Sequence, residues 1–295
     1  MARPSRLTVS KKDIFSLFDG SPKKVYSQSE LAGILSQNRT FWRLAERTSA
    51  NEFISFLAQQ GRLQIHTFLA TAYARKLIRY SWGDASKYEL ALSIQARGYL
   101  SHATAIALHG LTDLIPEGLY LNVEQSPKPI AHGALTQRGI DQAFSRKQRQ
   151  SNLVYETDGW ATTIISGKNT NRLAVESVDG PSSERLQVTD LERTLIDIVV
   201  RPAYSGGIFQ VFRAYQSAKS RFSTNRLIAT LKKLDYVYPY HQAIGFLMER
   251  AGYDQKRYEM LRKLGVKYNF YLVHGMHKPL FSEKWKLFYP DGLDL

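Results

Sequence analysis

The chain has 295 residues, 43% of them hydrophobic, and its 40 Lys and Arg against 26 Asp and Glu give a net charge of +14. This length and apolar content suit more than one buried core and exclude wholesale disorder, and no apolar run approaches the roughly 18–20 residues that cross a bilayer. The absence of cysteine excludes disulfides, thiolate metal sites and cysteine nucleophiles.

The positive charge is uneven. Residues 1–90 hold 14 Lys and Arg against 7 Asp and Glu, a net +7 in under a third of the chain. Such an excess points to a polyanionic partner, nucleic acid first. The N-terminus is basic but lacks an apolar h-region, so it is not a secretory signal, and a cytoplasmic location is expected. In "SKKDIFSLFD" (10–19), Ile14, Leu17 and Phe18 recur at helical spacing. "SQSELAGIL" opens with Ser27 and has Glu30 three residues on, the pattern of a capping box, with Leu31, Ile34 and Leu35 as its apolar face. Ser49 and Glu52 repeat that pattern before Phe53, Ile54, Phe56 and Leu57, and Gly61 ends the helix. Two strand-like runs follow, 62–68 and 75–82, with 69–73 as the tip of a hairpin.

Three helices and a hairpin predict a winged helix-turn-helix over residues 1–85, with its last helix in the DNA major groove. Ser49, Asn51, Glu52, Ser55 and Gln59 are the polar positions facing base edges; Asn suits adenine and Ser either base type. Arg39, Arg43 and Arg47 precede that helix and suit phosphates, as do Arg75 and Lys76 at the wing. Arg3, Arg6, Lys11 and Lys12 suit an N-terminal arm. Winged helices also serve as protein–protein modules; the basic balance here favours double-stranded DNA.

Beyond the hairpin, "YLSHATAIALHG" (99–110) sets Ser101 beside His102 and places His109 seven residues on. Side chains at i and i+1 on a helix do not face each other, and no G-x-S-x-G surrounds the serine, so a nucleophile–base pair is not expected. A seven-residue spacing puts the two histidines roughly 10 Å apart along the axis, too far for one ion. The expectation is a helix N-capped by Ser101, stopped by Gly110, with the histidines in buried or half-buried hydrogen bonds. Further on, "VTDLERTLIDIVVRPAYSGG" (188–207) has Thr189 and Glu192 as a capping box and Arg193 and Asp197 at i,i+4 for an ion pair. Asp190, Glu192 and Asp197 also suggest an acidic metal site, but no carboxylate–x–Lys pair of the restriction-nuclease kind accompanies them. The structural reading is preferred.

These two segments resemble the "YLSH-x-(S/T)-A-x-x-x-HGL" and "VT-D-x-ERTLID…RP-x-YAGG" motifs of the AbiEi-type antitoxins of bacterial type IV toxin–antitoxin operons. Ser101, His102, His109, Asp190, Arg193 and Asp197 fall on those motifs. The resemblance implies a DNA-binding antitoxin used against phage. It would repress its own operon through the winged helix and neutralise a nucleotidyltransferase toxin, AbiEii-like, through the C-terminal region, with or without a stable complex.

Strands are expected over 118–124, 151–156 and 160–166, with "TQRGIDQAF" as a helix between the first two. "SGKNT" lacks the P-loop glycine and reads as a turn. Helices are expected over 206–219, 224–234, 239–251 and 254–265, Gly245 allowing close packing, before the aromatic strand-like runs "KYNFYLV" and "WKLFYP". His274 and His277 have metal-like spacing but no third ligand nearby. The expected architecture is α+β: the winged helix, then a larger mixed α/β domain over 86–295 with a helical C-terminal part. The expected protein is not an enzyme, and takes no cofactor or metal. Two alternatives stand beside it: a winged-helix-targeted nuclease or nucleotidyl-processing defence enzyme, and a scaffold that binds the toxin directly.

Overall fold

Apolar periodicity becomes secondary structure along most of the chain. A computed structural model describes residues 5–114, 116–127, 134–157 and 159–293; Arg3 lies outside them. In chain order it contains α1 (Arg6–Val9), α2 (Lys11–Asp19), β1 (Val25–Tyr26), α3 (Gln28–Asn38), α4 (Ala50–Gln59), β2 (Leu63–Ala70), β3 (Arg75–Trp82) and α5 (Lys87–Ile94). There follow β4 (Tyr99–Leu100), α6 (His102–Leu108), β5 (Gly118–Glu124), α7 (Gln137–Phe144), β6 (Val154–Thr157), β7 (Trp160–Gly167), β8 (Val175–Asp179) and β9 (Arg185–Thr189). The remainder is α8 (Leu191–Val200), a 3-10 turn at Pro202–Ser205, α9 (Ile208–Ser217), α10 (Thr224–Leu234), α11 (Tyr240–Arg250), α12 (Gln255–Arg262), β10 (Phe270–Tyr271), β11 (Leu280–Ser282) and β12 (Leu287–Tyr289). The class is mixed α+β. Among the described residues, no helix is long and apolar enough to cross a membrane.

The chain divides into two units. The first comprises residues 1–96, 153–162 and 179–186; the second comprises 97–152, 163–178 and 187–295. The first unit thus reaches past the expected boundary at 85/86 and takes in α5. That helix carries its own capping box, Ser86 with Glu89, which the sequence reading passed over.

In the first unit, Ser27 and Glu30 form the reciprocal capping box expected at α3. Ser49 accepts the Glu52 amide at the start of α4. The hairpin is in register from Leu63↔Trp82 to Ala70↔Arg75, its first strand ending two residues beyond the run read from sequence. β1 flanks β3 and β6 flanks β2, both antiparallel. The core between helices and hairpin is aromatic: Phe18 stacks on Trp82 at 4.8 Å and Trp42 on Phe53 at 5.7 Å. Ile14, Leu31 and Leu57 fill the space around them, fully buried. Each such side chain is worth roughly 1.5–3 kcal/mol of transfer free energy. Asp19 anchors the hairpin to α2 by accepting from Trp82 Nε1 (2.8 Å) and from Arg62.

In the second unit, α8 is buried from Glu192 to Val199, which makes it the central helix. α6, α9, α10 and α11 pack on it. β4 lies antiparallel to β5 and parallel to β9. The two aromatic runs do pair: β10 and β12 are parallel, with β11 antiparallel on the other side of β12. Gly245 on α11 meets the expectation of close packing, because a Cβ there would lie 2.2 Å from the Trp285 ring.

Candidate functional site

The sequence-predicted DNA residues all belong to the first unit. Asn51, Glu52, Ser55 and Gln59 project from one face of α4 and are exposed, while Phe53, Ile54, Phe56 and Leu57 face the core. Asn51 accepts a hydrogen bond from Gln28 Nε2 (2.9 Å), which holds its amide at the surface of α3 and α4. Ser49 is exposed, but its hydroxyl is taken by the cap. The cations divide in two. Arg43, Arg47, Arg75, Lys76 and Lys12 are exposed, and their side chains make no hydrogen bond or ion pair among the described residues. Arg39 is different: Nη1 donates to the Ala45 carbonyl and Nη2 to Thr48 O (2.5 and 3.0 Å). It braces the loop that leads into α4, so its expected role as a phosphate contact gives way to a structural one. Lys11 is half-engaged, donating to Gln60 Oε1 (2.7 Å) and lying over the Phe15 ring.

In the second unit the serine–histidine reading needs correction. Ser101 does not cap α6 through its side chain. Its Oγ instead lies 2.8 Å from His102 Nδ1, in a buried hydrogen bond. The reason is backbone conformation. His102 has φ +54°, so the first residue of α6 sits outside the right-handed basin, and the rule for i and i+1 within a helix does not apply to it. Burial, with Arg201 and Arg193 close by, pushes the His102 pKa down to about 3, so the ring is neutral at ordinary pH. Tyr204 packs edge-on against it. His109 behaves as expected, with Nε2 2.7 Å from the Thr189 carbonyl.

The start of α8 is also displaced from expectation. Asp190, not Thr189, is the N-cap, and its Oδ1 accepts the Arg193 amide at 2.7 Å. Thr189 is the last residue of β9, and its hydroxyl is spent on Thr194 at 2.8 Å. The Arg193–Asp197 pair exists, Nε to Oδ1 2.8 Å, but both side chains are buried rather than on a solvated face. The other two carboxylates of the acidic trio have partners of their own. Asp190 Oδ2 accepts from Arg226 Nη2 at 2.6 Å, and Glu192 Oε1 from the Ser223 amide at 3.0 Å. Among the described residues, no group of three or more His, Asp or Glu is arranged to hold a metal ion.

What sequence reasoning missed is that His102, Arg193 and Asp197 line one small cavity, of about 70 Å³. Asn122 from β5, Gly167 at the end of β7 with Lys168 after it, Val200 at the end of α8 with Arg201 after it, and Tyr236 after α10 complete it. Gly167 is required there, because a Cβ would lie 2.4 Å from Asn122 Oδ1. Asp197 has its carboxyl pKa pushed up by burial, opposed by Arg193. Nothing local marks Asn122 or Arg201: one is a strand residue and the other follows a helix, and only the packing of distant segments joins them.

The chain matches no protein-family model and no curated protein. Among solved structures it is similar to the RV2827C protein from Mycobacterium tuberculosis, with 16% sequence identity and a TM-score of 0.54. The match covers 95% of this chain and 91% of that one. At that identity the likeness concerns the fold.

Proposed function

We propose that this protein is a DNA-binding antitoxin that represses its own operon, with the first unit acting as a winged helix-turn-helix on its operator. The observation that carries the reading is the polar face of α4, in a unit several of whose exposed cations have no side-chain partner among the described residues. Asn51, Glu52, Ser55 and Gln59 are exposed together, and Arg43, Arg47, Arg75 and Lys76 stand unpaired in the same unit. Surface charge left unpaired by the fold is available for phosphate, and each phosphate contact releases counterions from DNA. In this arrangement α4 offers Asn51, Ser55 and Gln59 to base edges, and the β2–β3 hairpin is the wing. The test is binding of the purified chain to DNA upstream of its own gene against random DNA at physiological salt. Preference for the upstream DNA with steep salt dependence supports the reading; equal binding overturns it.

The antitoxin half of the proposal rests on the resemblance of the 99–110 and 188–207 segments to the AbiEi motifs. A nucleotidyltransferase encoded beside this gene, with growth restored when the two are co-expressed, is the expected result. A nucleotidyltransferase neighbour whose toxicity this chain does not relieve overturns it. The nuclease alternative is weakened by the engagement of Asp190, Glu192 and Asp197 with arginines and backbone amides. Magnesium-dependent cleavage lost on replacing those carboxylates would restore it.

A further inference from the structure

The cavity in the second unit is a built polar site rather than a packing gap. Its walls keep hydrogen-bonding capacity that the protein itself does not use. Arg193 spends Nε on Asp197 and Nη1 on the Leu173 carbonyl (3.0 Å), leaving Nη2 without a partner among the described residues. Arg201 spends Nη1 on Ser166 O (3.3 Å), with Nε and Nη2 likewise free. His102 is only 4% exposed, its Nδ1 is held by Ser101, and its Nε2 has no partner among the described residues. When the serine hydroxyl donates to Nδ1, the neutral ring carries its proton on Nε2, as a donor. Lys168 stands at the rim, donating to the Leu234 carbonyl at 2.8 Å. Three cations thus line the cavity against one carboxylate, Asp197.

This balance selects for an anion, and the size selects for a small one. The cavity has about 70 Å³, room for roughly two waters or one tetrahedral oxyanion. Asp197 adds a second criterion. Its Oδ1 is taken by Arg193, while Oδ2 has no partner among the described residues. A fully ionised oxyanion placed there meets a carboxylate oxygen with nothing between them. A protonated one donates to it.

We propose that this cavity is a phosphate site, taking hydrogen phosphate. Arg193, Arg201 and His102 Nε2 donate to the phosphate oxygens, and Asp197 Oδ2 accepts the ligand's proton. Sulfate, which has no proton to give at neutral pH, is discriminated against by the same carboxylate.

The test is calorimetric titration of the full chain at pH 7.5 with inorganic phosphate, with sulfate and with glycerol phosphate. Saturable binding of phosphate, with sulfate weaker by about tenfold or more, is expected, one charge-assisted hydrogen bond being worth that factor. Glycerol phosphate, whose phosphoryl group is mostly a proton-free dianion at pH 7.5, is expected to bind about tenfold more weakly than phosphate, as sulfate does; binding as tight as that of phosphate overturns the role given to Asp197. Arg201→Gln is expected to weaken phosphate binding by about tenfold, since Arg201 is half-exposed and its removal leaves the core intact. The exposed Arg213→Gln variant is expected to leave it unchanged. No saturable binding by about 10 mM phosphate, weaker than any millimolar site, overturns the proposal. So does equal binding of sulfate, or an Arg201→Gln variant that binds as the parent does.

Discussion

The two units use the same residue types to opposite ends. In the first unit, Asn51 on α4 stands at the surface, and Arg43, Arg47, Arg75, Lys76 and Lys12 are exposed with no side-chain partner among the described residues. Along α8 in the second unit, Arg193 and Asp197 are buried in the centre of the fold and bound to each other. Sequence spacing reads an i,i+4 pair and a run of basic residues equally well, but it does not say which will be solvated. Solvated charge is free to act on a partner and adds little to stability; buried charge must be paired before the chain can fold at all.

The largest expected effect breaks the buried side of this contrast. Asp197→Ala strands the Arg193 guanidinium in the core and should cost about 3–5 kcal/mol, whereas Arg47→Ala should stay within about 0.5 kcal/mol. Urea unfolding of both variants measures the gap, and similar midpoints would remove the distinction drawn between the units.

Acid should act next. The pKa of His102 is about 3 in the folded chain, against an ordinary 6.5. Between those values the unfolded chain binds a proton that the folded chain refuses, so stability is held above pH 6.5 and lost as pH falls through the window. The loss is on the order of a few kcal/mol. Asp197 has the opposite sign: its folded pKa is raised, so stability declines as pH rises above its ordinary 3.8. Comparison with His102→Asn isolates the histidine, because asparagine tolerates a positive φ. Its unfolding free energy, measured from pH 7 to pH 4, should fall less steeply than that of the parent. Parallel curves would count against a buried neutral histidine.

On the exposed side, the DNA-binding proposal predicts that replacing Arg43, Arg47, Arg75 and Lys76 together by Gln leaves unfolding unchanged. The same variant should reduce the slope of log K against log salt by about 3–4, at roughly 0.9 per phosphate contact. An unaltered slope in filter-binding or anisotropy titrations would place the phosphate contacts elsewhere. The smallest effect distinguishes the two serines. Ser49→Ala removes a true cap and should cost about 1 kcal/mol, mostly recovered in Ser49→Gly, while Ser101→Gly should recover nothing, because Ser101 does not cap with its side chain. Thermal melts of these three variants and of Ser101→Ala check this.

Local chemistry was legible in the sequence. The capping box at α3, the helix and strand periods, the i,i+4 ion pair and the polar face of α4 all depend on residues a turn or a strand apart. Short-range geometry dictates them wherever the chain later packs. Tertiary structure decided what became of those groups. It gave Arg39 to the loop before α4, made Asp190 rather than Thr189 the cap of α8, and turned His102 through a positive φ onto its neighbouring serine. It also brought Asn122, Lys168, Arg193 and Arg201 to one cavity from three separate segments. Burial and pairing are properties of the whole packed unit. They depend on contacts between residues far apart in the chain, such as Tyr268 and Leu135 at 133 positions, which no local pattern records.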